Sequence, residues 1–345
     1  MNILLTGSTG FIGKRLVRTL AAHGHTIGLL IRSGSIARAK KMFQNIPQVH
    51  FIEADISRND VVVRVAGTEA VLQNTDAVIH LAGAYDLSIP LEEAYTHNVI
   101  GTQNMVWFAQ RLTKLPCFHY ISTYAVNSHC QGHVGEDQLD ANSKLADHYA
   151  QTKLQAESIV RQANWGATRV RIYRPGVIVG DSNTGEMDKI DGPYFFFRLF
   201  NQMRQWKNFT RKMPFFPIVG RQGAQVPLLP VNILADWLTT LVEHPTPHSV
   251  RSYHLVSQEL LLVENFLRDA LKAYDVPLMV RRMPETRILN PVLPFLGIPL
   301  EVAPYLYSTA SFSREHLDED FPQLKAPLLN DYLPKLVQGA RELFK

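Results

Sequence analysis

The sequence predicts an α/β protein built on a doubly wound parallel sheet, with a smaller α/β region toward the C-terminus. Three observations carry this. Short apolar runs alternate with helix-length segments through the first half. A glycine-rich turn follows the first of those runs at once. The alternation then ends near Asp181, where Pro193, Pro214, Pro217, Pro227 and Pro230 punctuate a mixed segment. The 345 residues exceed the roughly 150 of an ordinary domain, so a principal domain with a companion region is expected. With 46% hydrophobic and 19% charged residues, the chain can build a sizeable core and is too poor in charge for a disordered protein. A net charge of +4 suits small anionic ligands better than a nucleic-acid footprint, and no nucleic-acid partner is expected. Cys117 and Cys130 are too few for a disulfide framework or a paired CxxC zinc site, which points to free thiols in a reducing compartment.

In chain order the strand candidates are Ile3 to Thr6, Thr26 to Ile31, Val49 to Glu53, Ala77 to Leu81, Phe118 to Ser122 and Arg169 to Tyr173. Between them Phe11 to His23, Ile36 to Gln44, Leu91 to Arg111 and Asn142 to Gln162 carry helical periodicity, so right-handed crossovers onto one parallel sheet are the economical topology. Residues 1–180 form this domain. Residues 181–345 are mainly a second region, with some segments returning to the first core. That region holds a helix from Val231 to Glu243, a strand near Ser252 to Val256, a helix from Val263 to Tyr274, a strand at Leu278 to Met283 and a helix after Pro334. Met1 leads directly into an apolar strand, so no signal peptide is expected. The most apolar late stretch, Ile288 to Leu300, has 13 residues and three prolines against the roughly 20 uninterrupted residues of a membrane helix, and reads as packed loop.

The first turn reads Gly7-Ser8-Thr9-Gly10-Phe11-Ile12-Gly13 between a strand and a helix. Gly7 allows the turn, Gly10 lets backbone amides approach a pyrophosphate, and Gly13 lets the helix pack closely. The helix N-terminus adds a favourable dipole. Alone such a pattern can be a mere tight turn; its place in a βαβ unit makes the dinucleotide-binding turn of a Rossmann-type domain the expectation. At the end of the second strand, where an acid would bind the ribose hydroxyls of NAD, the chain carries Arg32. A guanidinium matches a 2′-phosphate bidentately, so NADPH (NADP) is the expected cofactor. Asp55, after the third strand, suits either the adenine amino group or the N-cap of the segment starting near Ser57.

Tyr149 and Lys153 stand four residues apart, on one face of the helix ending at Gln162. A cation beside a tyrosine favours the phenolate and brings its pKa toward the working range, so Tyr149 is the candidate general acid toward a substrate carbonyl. Ser122 and Thr123 end the fifth strand, where open α/β sheets hold ligands, and are rivals for holding the substrate oxygen. Asn98 lies within a long helix where an amide side chain has poor propensity, so it is expected to bind backbone or water. His80 reads as a hydrogen-bonded residue at a strand end. His129, Cys130 and His133 lack a fourth ligand at metal-binding spacing and read as a loop at the site's rim, so no metal is expected.

The ordered set of the TGxxGFxG turn, Asp55, His80-Leu81-Ala82-Gly83, Asn98-Val99-Ile100-Gly101-Thr102, Ser122-Thr123, YxxxK and Arg174-Pro175-Gly176 resembles an extended short-chain dehydrogenase/reductase, NAD-dependent epimerase/dehydratase-like. Within that superfamily Val179-Gly180-Asp181-Ser182, Thr184-Gly185 and Asp191-Gly192-Pro193-Tyr194 resemble the fatty acyl-CoA reductase, male-sterility and thioester-reductase branch. The likeness spans nearly the whole chain. It implies an oxidoreductase with Thr123, Tyr149 and Lys153 as catalytic triad, Ser122 beside them and Asn98 holding a water in a proton relay. It also implies that Ser8, Thr9, Phe11, Ile12, Asp55, Ile56, Leu81, Ala82, Gly83, Tyr149, Lys153, Arg174 and Pro175 join the three glycines and Arg32 along the dinucleotide. Thr152 departs from the serine frequent before the lysine, and Gly83 from an alanine. Ala125-Val126-Asn127 departs from the Val-Tyr-Gly ending of sugar epimerases, which argues against a nucleotide-sugar substrate.

From Gly192 to Ala235 the chain has no acid. It carries Arg198, Arg204, Lys207, Arg211, Lys212 and Arg221, interleaved with Tyr194, Phe195, Phe196, Phe197, Phe200, Trp206, Phe209, Phe215 and Phe216. Rings beside cations suit a lipid-like acyl chain on coenzyme A or acyl carrier protein, and equally an anionic membrane surface. They suit as well an amphipathic helix with an aromatic core face. The expected function is reduction of a fatty acyl thioester or fatty aldehyde with NADPH. A hydroxysteroid or hydroxyketone dehydrogenase and a noncatalytic NADPH-binding regulator are the alternatives. A monomer or homodimer in the cytoplasm, or peripheral to the inner face of a membrane, is expected.

Overall fold

The computed structural model describes residues 1–58, 74–85, 89–112, 115–145, 147–205, 210, 212–218, 220–283 and 292–345. The alternation becomes a seven-stranded parallel sheet: β1 (Asn2–Thr6), β2 (Thr26–Ile31), β3 (Val49–Glu53), β4 (Ala77–His80), β5 (Cys117–Ile121), β6 (Arg169–Pro175) and β7 (Val250–Leu255). Their spatial order is β7-β6-β5-β4-β1-β2-β3. The direction of winding reverses between β1 and β4, and the turns after those two strands open the crevice where doubly wound sheets bind ligands.

The period-2 alternation of the strands divides them between two cores. Ile3, Leu5, Ile27 and Leu29 pack with Leu16, Val17 and Leu20 of α1 (Phe11–Ala22). On the opposite face, Leu4, Leu30, Val78 and Phe118 meet Met105, Phe108, Ala156 and Val160. After α2 (Ser33–Phe43) comes α3, which runs from Leu91–Ala94 through a π-helical turn at Tyr95–Ile100 into Gly101–Gln110. α4 (His148–Gln162) carries the candidate catalytic pair. It starts later than Asn142 because Asp140 accepts the Asn142 amide (3.1 Å) and the Ser143 hydroxyl (2.7 Å), which holds that stretch in a turn.

Beyond Asp181, α5 (Tyr194–Gln205), α6 (Val231–Glu243), α7 (Val263–Ala273), α8 (Ala303–Leu306) and α9 (Leu329–Leu343) follow. Tyr194, Phe197, Phe200, Phe266, Leu267, Leu336 and Val337 form a third core. The strand near Ser252 joins the main sheet, and the helix from Val231 packs in its core. β7 pairs with β6 from Val250↔Val170 to Leu255↔Pro175, and Leu234, Trp237 and Leu238 of α6 join the core of α1. Val280–Arg282 pairs in parallel with Phe216–Ile218 in a small separate sheet. The last helix begins at Leu329, not after Pro334. The Asp331 carboxylate accepts the Leu328 amide (3.1 Å) and starts the helix early, and Pro334 costs it one amide donor in the second turn. Of the apolar stretch Ile288 to Leu300, residues 288–291 lie outside the described residues, as do Trp206, Lys207, Phe209 and Arg211; Leu293 and Ile298 are buried in the third core. Among the described residues no helix is long and apolar enough to cross a membrane.

One contact pins α9 to the loop after Gly180. A Cβ on Gly339 would stand 2.0 Å from the Gly185 carbonyl oxygen, and Gly185 itself has φ +77°. A helix-interior glycine ordinarily gains about 0.5–1 kcal/mol on replacement by alanine. Here the sign reverses: Gly339→Ala is expected to lower the unfolding free energy by about 1–3 kcal/mol through overpacking, measured by urea denaturation.

Candidate active site

A cavity of about 840 Å³ runs along the carboxyl ends of the strands. One end is bordered by Arg32, Ser35, Arg38, Asp55 and Ile56, the middle by residues 7–13 and 81–85, and the far part by Thr123, Tyr149, Lys153 and Pro175. At the turn, Gly7 has φ +77°, and a Cβ there would stand 2.7 Å from the Ala82 amide nitrogen; one on Gly13 would stand 2.1 Å from the Gly7 carbonyl oxygen. Only glycine fits either position. The Ser8 hydroxyl is buried, borders the cavity and has no hydrogen-bond partner. An orphaned donor beside a glycine cradle at a helix N-terminus fits a dinucleotide pyrophosphate.

A chain of hydrogen bonds braces this turn from beneath. The Ala82 amide donates to the Thr6 hydroxyl (3.0 Å), which lies 2.9 Å from Nδ1 of His80, while Nε2 of His80 lies 3.0 Å from the Thr102 hydroxyl and that hydroxyl donates to the Asn98 carbonyl (2.6 Å). Burial, reinforced by the Lys153 charge, lowers His80 to about 3, so the imidazole is neutral and serves as a strut. The Asp55 carboxylate accepts the Ser57 amide (3.0 Å) and hydroxyl (2.7 Å) in a local turn while still bordering the cavity, and the segment it was expected to cap runs into residues outside those described.

The Asn98 amide is committed to protein groups. Its oxygen accepts the Ala84 amide (2.8 Å), and its nitrogen donates to the Ala84 carbonyl (3.3 Å) and to the Thr152 hydroxyl (3.0 Å). The expected water-holding amide is therefore occupied in bracing the segment after β4. A Cβ on Gly83 would approach the Asn98 side-chain oxygen to 3.0 Å, which accounts for glycine there.

Ser122 and Arg174 are held by partners that the sequence did not show. Thr123 and Ser122 both border the cavity; the Thr123 hydroxyl accepts the Ala125 amide (3.2 Å), and Ser122 donates to the buried Glu157 carboxylate (2.6 Å). Arg174 does not border the cavity. It is fully buried, with two nitrogens on Glu157 (3.1 and 2.7 Å) and a third on the Glu136 carbonyl (3.2 Å) and His254 (3.3 Å). Burial alone would raise Glu157, but Arg174, Arg161 and the Ser122 hydroxyl outweigh it and hold the carboxyl at about 2.

Lys153 is buried, donates to the Ile121 carbonyl (2.7 Å) and stands 4.4 Å over the Tyr120 ring. Burial brings it down to about 7, against the pull of Glu157. Tyr149 moves opposite to expectation. Burial pushes its phenol well above the ordinary value, the Thr123 contact works against this, and Asp147 and Asp191 add to it. Desolvation dominates, and the phenol stays protonated, as a general acid requires.

On the far side, Tyr194, Phe197 and Phe200 are core, and only Phe196 of that run borders the cavity. Arg198 donates to the Gly297 carbonyl (2.6 Å) and Arg204 pairs with Asp275 (3.5 Å), so both cations are committed. His129 lies 2.9 Å from the Ser143 hydroxyl, and no group of three ligands able to hold a metal occurs among the described residues. Sequence reasoning missed Ser35 and Arg38, which share a face of α2 three residues apart. It also missed Tyr85, edge-on to Tyr149 with ring centroids 4.8 Å apart, and Asp147, a cap two residues before Tyr149.

A family model described as Male sterility protein matches residues 5–236. Fatty acyl-CoA reductase 2 of Mus musculus is 26% identical over 309 residues, covering 75% of this chain and 58% of that protein. The 3 beta-hydroxysteroid dehydrogenase/Delta 5-->4-isomerase of Mycobacterium tuberculosis is 26% identical over 298 residues, 84% of this chain and 73% of that one. Among solved structures, the terminal R domain from the myxalamid PKS-NRPS biosynthetic pathway superposes with TM-score 0.74 at 23% identity, over 100% of this chain and 91% of that chain. The chain spans little more than half the length of the mouse protein. Fold and site place the chain in the extended short-chain dehydrogenase/reductase class, with a dinucleotide-binding turn. Within that class, the chain belongs to the Male sterility protein family.

The Glu157 cluster generates a prediction. Glu157→Gln leaves the Arg174 charge buried without its partner and is expected to cost roughly 3–5 kcal/mol in chemical denaturation. The folded carboxyl titrates at about 2, below the ordinary 4.5. Its contribution is therefore complete above about pH 4.5 and lost as pH falls through about 2, so the wild type should lose stability more steeply than the variant across that window.

Proposed function

We propose that this protein uses NADPH to reduce the carbonyl of a fatty acyl thioester, on coenzyme A or acyl carrier protein, or of the corresponding fatty aldehyde. One observation carries the reading. A single cavity joins a cationic end at Arg32 and Arg38, the Thr123–Tyr149–Lys153 group, and an apolar wall of Phe196, Phe266, Leu267, Val302 and Leu306. A 2′-phosphate matches the first and an alkyl chain the last. The mouse fatty acyl-CoA reductase among the relatives supports the same substrate class.

When bound, the dinucleotide supplies hydride. Tyr149, kept neutral by burial, gives its proton to the substrate oxygen as charge develops there, and the Thr123 hydroxyl holds that oxygen in reach. Lys153, near neutrality in its titration, is suited to restoring the phenol's proton. Reduction of a thioester gives a hemithioacetal that expels thiol and leaves an aldehyde; a second reduction gives an alcohol.

The test is NADPH oxidation by purified protein with a long-chain acyl-CoA, the matching aldehyde and a steroid ketone, with NADH in parallel and products identified. Turnover of thioester or aldehyde is expected. Turnover of the steroid ketone alone would move the reading to a hydroxysteroid dehydrogenase, and tight NADPH binding without turnover to a regulator. Tyr149→Phe should lower kcat by about 10²–10⁴-fold with NADPH affinity unchanged. Replacing Arg32 and Arg38 together by alanine should weaken NADPH binding by about tenfold or more and leave NADH binding nearly as it was.

A further inference from the structure

Tyr305 lies on α8, in the wall of the cavity farthest in sequence from the catalytic helix, between Val302 and Leu306, which border the same space. The backbone there is seated tightly: a Cβ on Gly220 would stand 2.6 Å from the Leu306 carbonyl oxygen. The Tyr305 hydroxyl reaches out of this wall and donates to Oδ2 of Asp147 at 2.7 Å. The other carboxylate oxygen, Oδ1, accepts the Ala150 amide at 2.7 Å and caps α4. Tyr149 lies between the cap and the amide it holds. The Tyr305 ring also neighbours Tyr124, the residue after Thr123, at 6.2 Å between centroids.

A single side chain on the substrate wall thus fixes the carboxylate that orients the first turn of the helix presenting Tyr149, and packs beside the turn presenting Thr123. Its hydroxyl proton is given to Asp147, which leaves it none for a substrate oxygen. We infer that Tyr305 is a positioning residue that couples occupancy of the apolar wall to the placement of Tyr149. The inference rests on the reading of Tyr149 as proton donor. A chain lying against Val302 and Leu306 bears on α8, and through Tyr305 and Asp147 that pressure reaches the start of α4. Truncating the hydroxyl leaves the cap able to form but no longer held from its outer side.

The experiment compares wild type, Tyr305→Phe, Asp147→Asn and the double variant in amide hydrogen exchange without any ligand, and in steady-state kinetics with acyl-CoA and NADPH. Asparagine keeps the capping oxygen and offers Tyr305 an amide N–H in place of a carboxylate oxygen, so Asp147→Asn removes the charge and weakens the tie while leaving the cap. In Tyr305→Phe, exchange over residues 148–152 should rise about fivefold, with β1 and α1 unaffected. kcat should fall about tenfold, with KM for the acyl substrate within about twofold of wild type. The double variant should be no slower than the worse single one, as expected for two ends of one interaction. Unchanged exchange over 148–152, a raised KM with kcat intact, or fully additive losses would each overturn the inference. If the wild type turned over no carbonyl substrate, the reading of Tyr149 would fail, while the exchange data would still decide whether Tyr305 holds the helix.

Discussion

Glu157 sits beneath the active site with no exposure to water, and an isolated carboxylate in such a place costs several kcal/mol. Every element around it supplies a donor. β5 ends in the Ser122 hydroxyl, β6 brings the Arg174 guanidinium, and α4 adds Arg161 from one turn further along (2.8 Å). Arg174 extends the cluster to His254 on β7, whose ring nitrogen Nδ1 lies 2.9 Å from the Ser313 carbonyl. Tyr149, Lys153 and Glu157 follow one another at four-residue steps on one stripe of α4. The ion cluster therefore sets the rotation of that helix, and with it the direction in which the phenol and the ammonium face. The catalytic stripe is aimed from below by a charge that substrate never meets.

The same burial sets the titration of the groups above it. Lys153 gives up part of its basicity because water cannot reach it, and the Tyr149 phenol becomes a weaker acid for the same reason. Between them the difference in proton affinity is governed by desolvation more than by their mutual charge. Asp147 and Asp191 add negative potential on the phenol's open side, which further favours a protonated tyrosine in the free protein. The cationic residues Arg32 and Arg38 border the same cavity beside Asp55.

Periodicity made the sheet legible. Ile3 to Thr6 and Thr26 to Ile31 read as strands and are strands, and the glycine turn between strand and helix stands where its spacing required. The pairing of Tyr149 with Lys153 on one helix face was also readable, because a four-residue step is a local property. Much of what escaped in the site depended on partners distant in sequence. Ser122 and Thr123 are equivalent as sequence, and only Glu157, on a helix not yet oriented, tells them apart. The family resemblance alone assigns Arg174 to the cofactor; its carboxylate partner lies 17 residues earlier, on the other side of a crossover, where no local signal shows it. Helix starts failed where short polar side chains captured backbone amides, as at Asp140 and Asp331. Tyr305 carried no local signal at all, since its importance is a contact across 158 residues.

The sheet is completed by a strand that arrives late. β7 bonds the outer side of β6 only after the α5 segment and α6 have been made, about 80 residues beyond the end of β6. At a translation rate of about 5–20 residues per second, a growing chain would present the bare edge of β6 for roughly 4–16 s. That edge carries a row of unpaired amides and carbonyls on a strand whose side chains are almost wholly buried in the finished fold, which makes it the segment most exposed to pairing with the wrong chain during synthesis. Demand for chaperone protection should therefore centre on this interval, and substitutions in the long insertion between β6 and β7 would act first on yield of folded protein, before any effect on what the finished site can do.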